Sequence, residues 1–387
     1  MISVDEARSR LFAAAPRLPA ETVPLGAAAG RVTAEPIVAL RTQPPFRSSA
    51  MDGYAVRADE IDGGLMVVGQ SAAGARYGSA LGRHEAVRIF TGAPVPDGAD
   101  AVLIQEDARL ETGRLYATAR VTAGDNIRAE GLDFRVDDVL VAAGTRLEPR
   151  HLALVGAGGH PTVRVARRPR VAFLSTGDEL VPPGSSAGPD QIVASVTPAL
   201  AALVERAGGE AIDLGIAPDD VSAIVAGVRD GLATADVLVT LGGASVGDHD
   251  VVRPALAELG IALDFWRVAI RPGKPLMFAP SPLVLGLPGN PVSGVVCALL
   301  FLLPLVEAMQ GATPGPELLE GILGTPLPQN GPRRDHLRAR RDGRTLTPFP
   351  VQDSSMLSVL AAADALIVRE PDAPAAAAGD TCRYIAL

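Results

Sequence analysis

The pattern of hydrophobic and polar positions changes along the chain. The first segment, 3–15, puts Val4, Ala7 and Leu11 on one face at helical spacing. Ser3 stands at the N-cap position with Glu6 three residues on, and Pro16 and Pro19 end the helix. From about 42 to 140 the apolar residues fall in short runs broken by glycine, at 65–68, 86–90, 101–105 and 114–121. Such runs predict the strands of a small β-rich domain. After Arg167-Arg168-Pro169, apolar strand runs at 171–175, 211–215, 237–241, 265–270 and 283–287 alternate with helix-length amphipathic segments. That alternation predicts a mostly parallel sheet covered by helices on both faces. Thr197-Pro198 reads as an N-cap and first helical residue, with Leu200, Leu203 and Val204 following on one face. Val221, Ile224, Val225, Val228 and Leu232 predict a second helix behind Asp219-Asp220, and 251–259 a third. Beyond Thr313-Pro314, β-type runs at 337–340, 345–349, 365–368 and 382–386 predict a small all-β terminal domain.

Composition adds boundaries. A chain of 387 residues exceeds what one core usually organises, so two to four domains are expected. With 48% hydrophobic and 20% charged residues it is globular in composition. Forty-four acidic side chains against thirty-five basic ones, a net charge of −9, argue against nucleic acid as a partner. The N-terminus mixes acids with arginines and lacks an apolar signal region, which places the expectation in the cytoplasm. The apolar run 295–306 contains Pro304 and is shorter than the ~20 residues a membrane span needs. It is expected to be a buried helix, with no membrane partner. Cys297 and Cys382 are far apart and read as reduced structural thiols. The histidines, His84, His151, His160, His249 and His336, lack the spacing of a zinc pair. Lys274 is the only lysine in a chain that uses arginine elsewhere, a bias that fits either codon usage or a site requiring a compact ammonium.

In an open α/β sheet, ligands bind at the carboxyl ends of the strands, and the unusual residues cluster there. The glycine turn 242–247 follows one strand and runs into Asp248, His249 and Asp250 before a helix. Its bare N–H groups could cradle phosphate, and the acids would then call for a bridging cation such as Mg²⁺. Equally, the glycines could shape a plain βα turn that Asp250 caps. Neighbouring strand ends are acidic as well, at Asp178-Glu179 and Asp219-Asp220, where the aspartates 219 and 220 also suit N-capping. Opposite in charge is the Arg271-Pro272-Gly273-Lys274-Pro275 turn. The 287–293 segment offers Asn290 as an N-cap and Pro291 as the first helical residue, which would leave free N–H groups suited to an oxyanion or simply a capped helix. Serine-hydrolase elbows, Walker-type loops and clustered Cys/His motifs are absent from the sequence.

Six phrases in order, at 49–55, 89–93, 175–180, 242–247, 271–275 and 287–293, make the chain resemble the molybdopterin molybdotransferase family nearly end to end. The C-terminal (E) domain of eukaryotic gephyrin belongs to the same family. The resemblance implies four domains: 1–41 with 142–166 as a helical and linker domain, 42–141 as a β-rich domain, 167–313 as a three-layer α/β molybdopterin-binding domain, and 314–387 as a C-terminal β-barrel. It further implies a homodimer whose cleft joins the α/β domain of one subunit to the N-terminal β domain of the other, with Asp52 and Thr91 donated across. Adenylated molybdopterin would bind at Gly242, Gly243, Ser245, Gly247, Pro288, Asn290 and Pro291, with Mg²⁺ held near Glu179, Asp219 and Asp250. Molybdate would bind separately, at Arg271, Lys274, Ser293, Arg338 and Ser354. The implied reaction inserts molybdenum and releases AMP, with Asp52, Thr91, Glu179, Asp219 and Asp250 as catalytic residues. A transient contact with the molybdopterin adenylyltransferase would deliver the substrate. The chain departs from the family pattern at Arg267 and Arg271, where lysine is frequent, and at Ala194 and Val196, where an acid and an asparagine are usual.

Two other readings compete. A metal-dependent nucleotide-pyrophosphate hydrolase would use the same acids, but has no need of the cationic second pocket. A non-catalytic molybdopterin-binding scaffold would have no need of an intact acid set.

Overall fold

The structure, a computed structural model, describes residues 1–243 and 251–387. Its central sheet has six strands in the order Glu210–Ala217, Arg170–Thr176, Val237–Leu241, Leu283–Leu287, Pro275–Pro280 and Phe265–Arg267. The first four run parallel, and Pro275–Pro280 runs antiparallel to both its neighbours. Successive side chains of a strand face opposite ways. Val171 and Phe173 therefore pack among helices Val196–Arg206 and Pro291–Gln310, while Ala172 and Leu174 pack among Val221–Thr234 and Val252–Glu258. Helices cover both faces, which explains the continuous apolar runs in the sequence. Each large side chain buried in this way, such as Phe173, contributes about 1.5–3 kcal/mol.

Helix Val4–Ala14 inserts Val4, Ala7 and Leu11 into the same core as the first face of the sheet. Ser3 Oγ accepts the Glu6 N–H at 3.1 Å, as the capping pattern predicts. The Glu6 carboxylate turns instead to Arg10, at 2.6 Å. Ahead of the central sheet, Ala20–Pro24 pairs with Thr162–Ala166, and Ile37–Val38 with Val139–Val141. These four short strands enclose a separate small core that includes Leu147, Val155 and Val165. Inserted between them is the β-rich unit, a sheet in the order Ala101–Ile104, Gly53–Val56, Glu85–Ile89, Leu65–Ser71, Arg114–Ala117, Ala108–Glu111. At the C-terminus, Leu319–Leu323, Thr345–Pro348, Arg334–Asp342, Ala365–Arg369 and Thr381–Ala386 close into a barrel around Leu323, Leu346, Ile367 and Tyr384. The α/β plus β architecture, with its terminal barrel, is the expected one.

Three local expectations are corrected and one strand is added. The 265–270 run is two strands. Phe265–Arg267 stays in the central sheet, whereas Ile270–Arg271 pairs in parallel with Arg334–Asp342 and joins the barrel. The strand Pro275–Pro280, which directly follows the 271–275 turn, is absent from the strands expected from the sequence; its prolines fall at the two ends, where a ladder tolerates a missing N–H. Thr197 is not an N-cap: the helix starts at Val196, and the buried Thr197 hydroxyl pairs with Ser175 Oγ at 3.0 Å. Finally, the apolar helix is longer than the run 295–306 and continues through Pro304. It runs Pro291–Gln310, 20 residues, with a π-helical turn at Ala298–Leu302 just ahead of Pro304, where the Leu303 N–H donates to the Ala298 carbonyl. Its length and composition would suit a membrane span; 72% burial inside the protein makes it a core helix.

Candidate active site

From strand Arg170–Thr176 the chain crosses to a neighbour on one side, Glu210–Ala217, and then returns to Val237–Leu241 on the other. A crevice opens where the direction reverses. A cavity of about 820 Å³ lies there, lined by Thr176, Glu179, Asp219, Gly242, Gly243, Pro288, Asn290 and Pro291. Asp220 caps the helix Val221–Thr234 by accepting the Ala223 N–H at 2.9 Å. Asp219 is thereby left to face the cavity with Glu179, and its own N–H donates to Asp178 Oδ1 at 3.1 Å. Gly242 has φ +91°, and a Cβ there would meet the Thr176 carbonyl oxygen at 2.6 Å. A Cβ on Gly289 would reach Gly242 Cα at 3.3 Å, so the two turns abut through bare backbone. Ser245, Gly247 and Asp250 lie outside the described residues.

The helix N-terminus at Asn290 is less open than expected. Among its first N–H groups, that of Val292 donates to the Ser354 carbonyl at 3.0 Å and that of Gly294 to the Asn290 carbonyl at 2.9 Å. The loop after the barrel strand Thr345–Pro348 packs against this end and takes one donor. Asn290 occupies the cap position without a side-chain cap bond. Ala194 and Val196 line the cavity beside Ile192 and Val193, so one wall is apolar.

Next to this cavity lies a second, of about 1200 Å³, walled by both the α/β domain and the barrel. Pro275, Pro288 and Asn290 border both. Arg271, Lys274, Ser293 and Ser354 line the second cavity, as do Arg333, Arg369, Asp335 and Asp353, which the sequence reading missed. A single acid in a β-run carries no spacing signal. Arg338 is not on the wall: it is 1% exposed, its Nη2 donates to the Asp353 carbonyl at 3.0 Å, and its Nε finds no partner among the described residues. Burial lowers its pKa, with Asp353 pulling the other way. Asp335 Oδ2 lies 3.4 Å from Arg271 Nη1.

Asp52 and Thr91 form a unit in the β-rich domain. The Thr91 N–H and hydroxyl both donate to Asp52 Oδ1, at 2.7 and 2.8 Å. Those two bonds, the backbone one first, hold the Asp52 carboxyl below its ordinary range. Neither residue lines either cavity of this chain.

Comparison with known proteins agrees along the whole chain. Residues 2–159 match the MoeA N-terminal region (domain I and II), 172–308 the probable molybdopterin binding domain, and 320–387 the MoeA C-terminal region (domain IV). A molybdopterin molybdenumtransferase of Nostoc sp. is 38% identical over 331 residues, 81% of this chain and 76% of its own length. Its counterpart in Bacillus subtilis is 34% identical over 385 residues, 95% and 90% respectively. The crystal structure of a molybdopterin biosynthesis MoeA protein from Pyrococcus horikoshii superimposes with a TM-score of 0.90 at 27% identity, covering 100% of both chains. The three matched regions, together with relatives 34–38% identical over most of the chain, put it in the molybdopterin molybdenumtransferase family.

Proposed function

We propose that this chain inserts molybdenum from molybdate into adenylated molybdopterin, releasing AMP and the molybdenum cofactor. The observation that carries this is the pair of adjoining cavities, one bordered by carboxylates and bare glycine backbone, the other by cations. A hydrolase acting on the same pyrophosphate would have no use for the second.

In the first cavity the Gly242 and Gly243 backbone receives the pyrophosphate, and the apolar wall at Ile192 and Val193 rests against the planar part of the substrate. Among the described residues no three His, Cys, Asp or Glu side chains converge as a complete metal cage. Glu179 and Asp219 offer two hard oxygen donors on one cavity, with Asp250 outside the described residues. That donor set fits Mg²⁺, which binds through one or two carboxylates plus substrate phosphates and keeps several waters. Bound there, a divalent cation supplies stabilisation of the charge that develops as the pyrophosphate is cleaved.

In the second cavity Arg271 and Lys274 attract the dianion, the Ser293 hydroxyl and Ser354 orient it, and Arg338 adds positive charge from beneath. Asp52, kept ionised by Thr91, acts in the cleft of a second copy of the chain, which makes the working form a homodimer. The reaction belongs to the cytoplasm, where the adenylyltransferase hands over its product.

The test is AMP release from adenylated molybdopterin with Mg²⁺, with and without molybdate, followed by transfer of the product to an apo-molybdoenzyme. Molybdate-dependent release that activates the apoenzyme is expected. Release indifferent to molybdate would move the assignment to a hydrolase, and binding without release to a scaffold.

A further inference from the structure

A carboxylate in a pocket for an anion is repulsive unless a proton or a cation accompanies it. Asp335 and Asp353 both line the second cavity. Asp353 is accounted for: its Oδ1 accepts the Ser355 N–H at 2.8 Å and the Ser355 hydroxyl at 2.6 Å. Asp335 is different. It is 6% exposed, sits on the barrel strand that pairs with Ile270–Arg271, and meets Arg271 at a long 3.4 Å. Among the described residues, the charged groups on the same walls are Arg271, Lys274, Arg333, Arg369 and Asp353.

We infer that Asp335 is the residue by which this cavity tells molybdate from sulfate, through a hydrogen bond whose proton lies between its carboxyl and one oxyanion oxygen. The inference rests on the assignment of the second cavity to molybdate. Both ions are tetrahedral dianions, so Arg271 and Lys274 attract them alike. They differ in basicity: molybdate accepts a proton far more readily than sulfate. A carboxyl that holds a proton and can pass it part of the way therefore favours molybdate, and the same group ionised repels sulfate with no compensating bond. The proton alone moves, between two oxygens, and total charge is conserved. Burial raises the Asp335 pKa, opposed by Arg271, Arg333 and Arg369, which is the direction that keeps a proton available.

The experiment is equilibrium dialysis of labelled molybdate against the full chain, with sulfate as competitor. The Asp335→Asn chain still donates a hydrogen bond but cannot yield its proton, so its preference for molybdate over sulfate should fall at least about tenfold. Asp353→Asn removes a charge from the same cavity and should leave the preference intact. An unchanged preference in D335N, or an equal loss in D353N, overturns the inference. A second measurement needs no variant: calorimetry across pH, in buffers of different ionisation heat, should find proton uptake on molybdate binding once the pH is high enough to ionise the free Asp335 carboxyl, and no uptake at any pH counts against it. Failure of the unaltered chain to bind molybdate at all would instead remove the assignment on which the inference rests.

Discussion

Glu179 and Asp219 face one cavity, while their neighbour Asp220 is spent on a helix cap. The division predicts unequal mutants. Glu179→Gln and Asp219→Asn should each lower molybdate-dependent AMP release by roughly 100-fold or more, with no change in melting temperature. Asp220→Ala should instead destabilise the fold by about 1 kcal/mol, as loss of an N-cap does. Thermal unfolding alongside the activity assay separates the two classes. His336 makes a prediction about pH. It is 2% exposed, and burial, with Arg334 and Arg8 nearby, pushes its pKa down to about 3. The unfolded chain takes up this proton first, so the stability from neutral His336 is full above about pH 6.5 and is lost as pH falls toward about 3. Denaturant unfolding across that window should show the loss, and His336→Phe should flatten it.

At the level of elements, the Arg271–Lys274 loop is held by packing rather than by its own sequence. Gly273 has φ +108°, and a Cβ at this position would collide with the Cys297 sulfur of the long apolar helix. Gly273→Ala should therefore cost about 1–3 kcal/mol and displace Arg271 and Lys274, with molybdate affinity falling more than tenfold in equilibrium dialysis. This dependence was invisible in the sequence, because Gly273 and Cys297 carry no periodic signal. What the sequence made legible were features with a local cause: the strand and helix runs of the α/β domain, the Ser3 cap, the glycine turn at Gly242 and the acids at strand ends. What it hid came from tertiary context. Thr197 looked like a cap until Ser175 supplied a buried partner, and the run 295–306 looked shorter than the 20-residue helix it belongs to. The 265–270 run looked continuous because nothing local shows that half of it pairs with a strand over 60 residues later in the chain. Asp335 went unnoticed for the same reason.

For the molecule as a whole, Asp52 and Thr91 lie outside both cavities, and the homodimer is what would bring them to the chemistry. Subunit mixing tests this directly. Asp52→Asn and Glu179→Gln chains, each inactive alone, should form heterodimers with one intact cleft, restoring about a quarter of wild-type activity after random exchange. No recovery would place Asp52 in its own subunit's chemistry or none. The strand Ile270–Arg271 has a different consequence, for how the chain can be cut. Its backbone pairs with the barrel strand Arg334–Asp342, so the barrel is stitched to the α/β domain by a shared ladder as well as by a linker. A chain truncated after Thr313 would leave those N–H and C=O groups bare, beside the apolar residues that Leu366, Val368 and Ile385 of the barrel now cover. Bare edges recruit other edges. Such a fragment should self-associate during expression instead of behaving as a soluble half-enzyme.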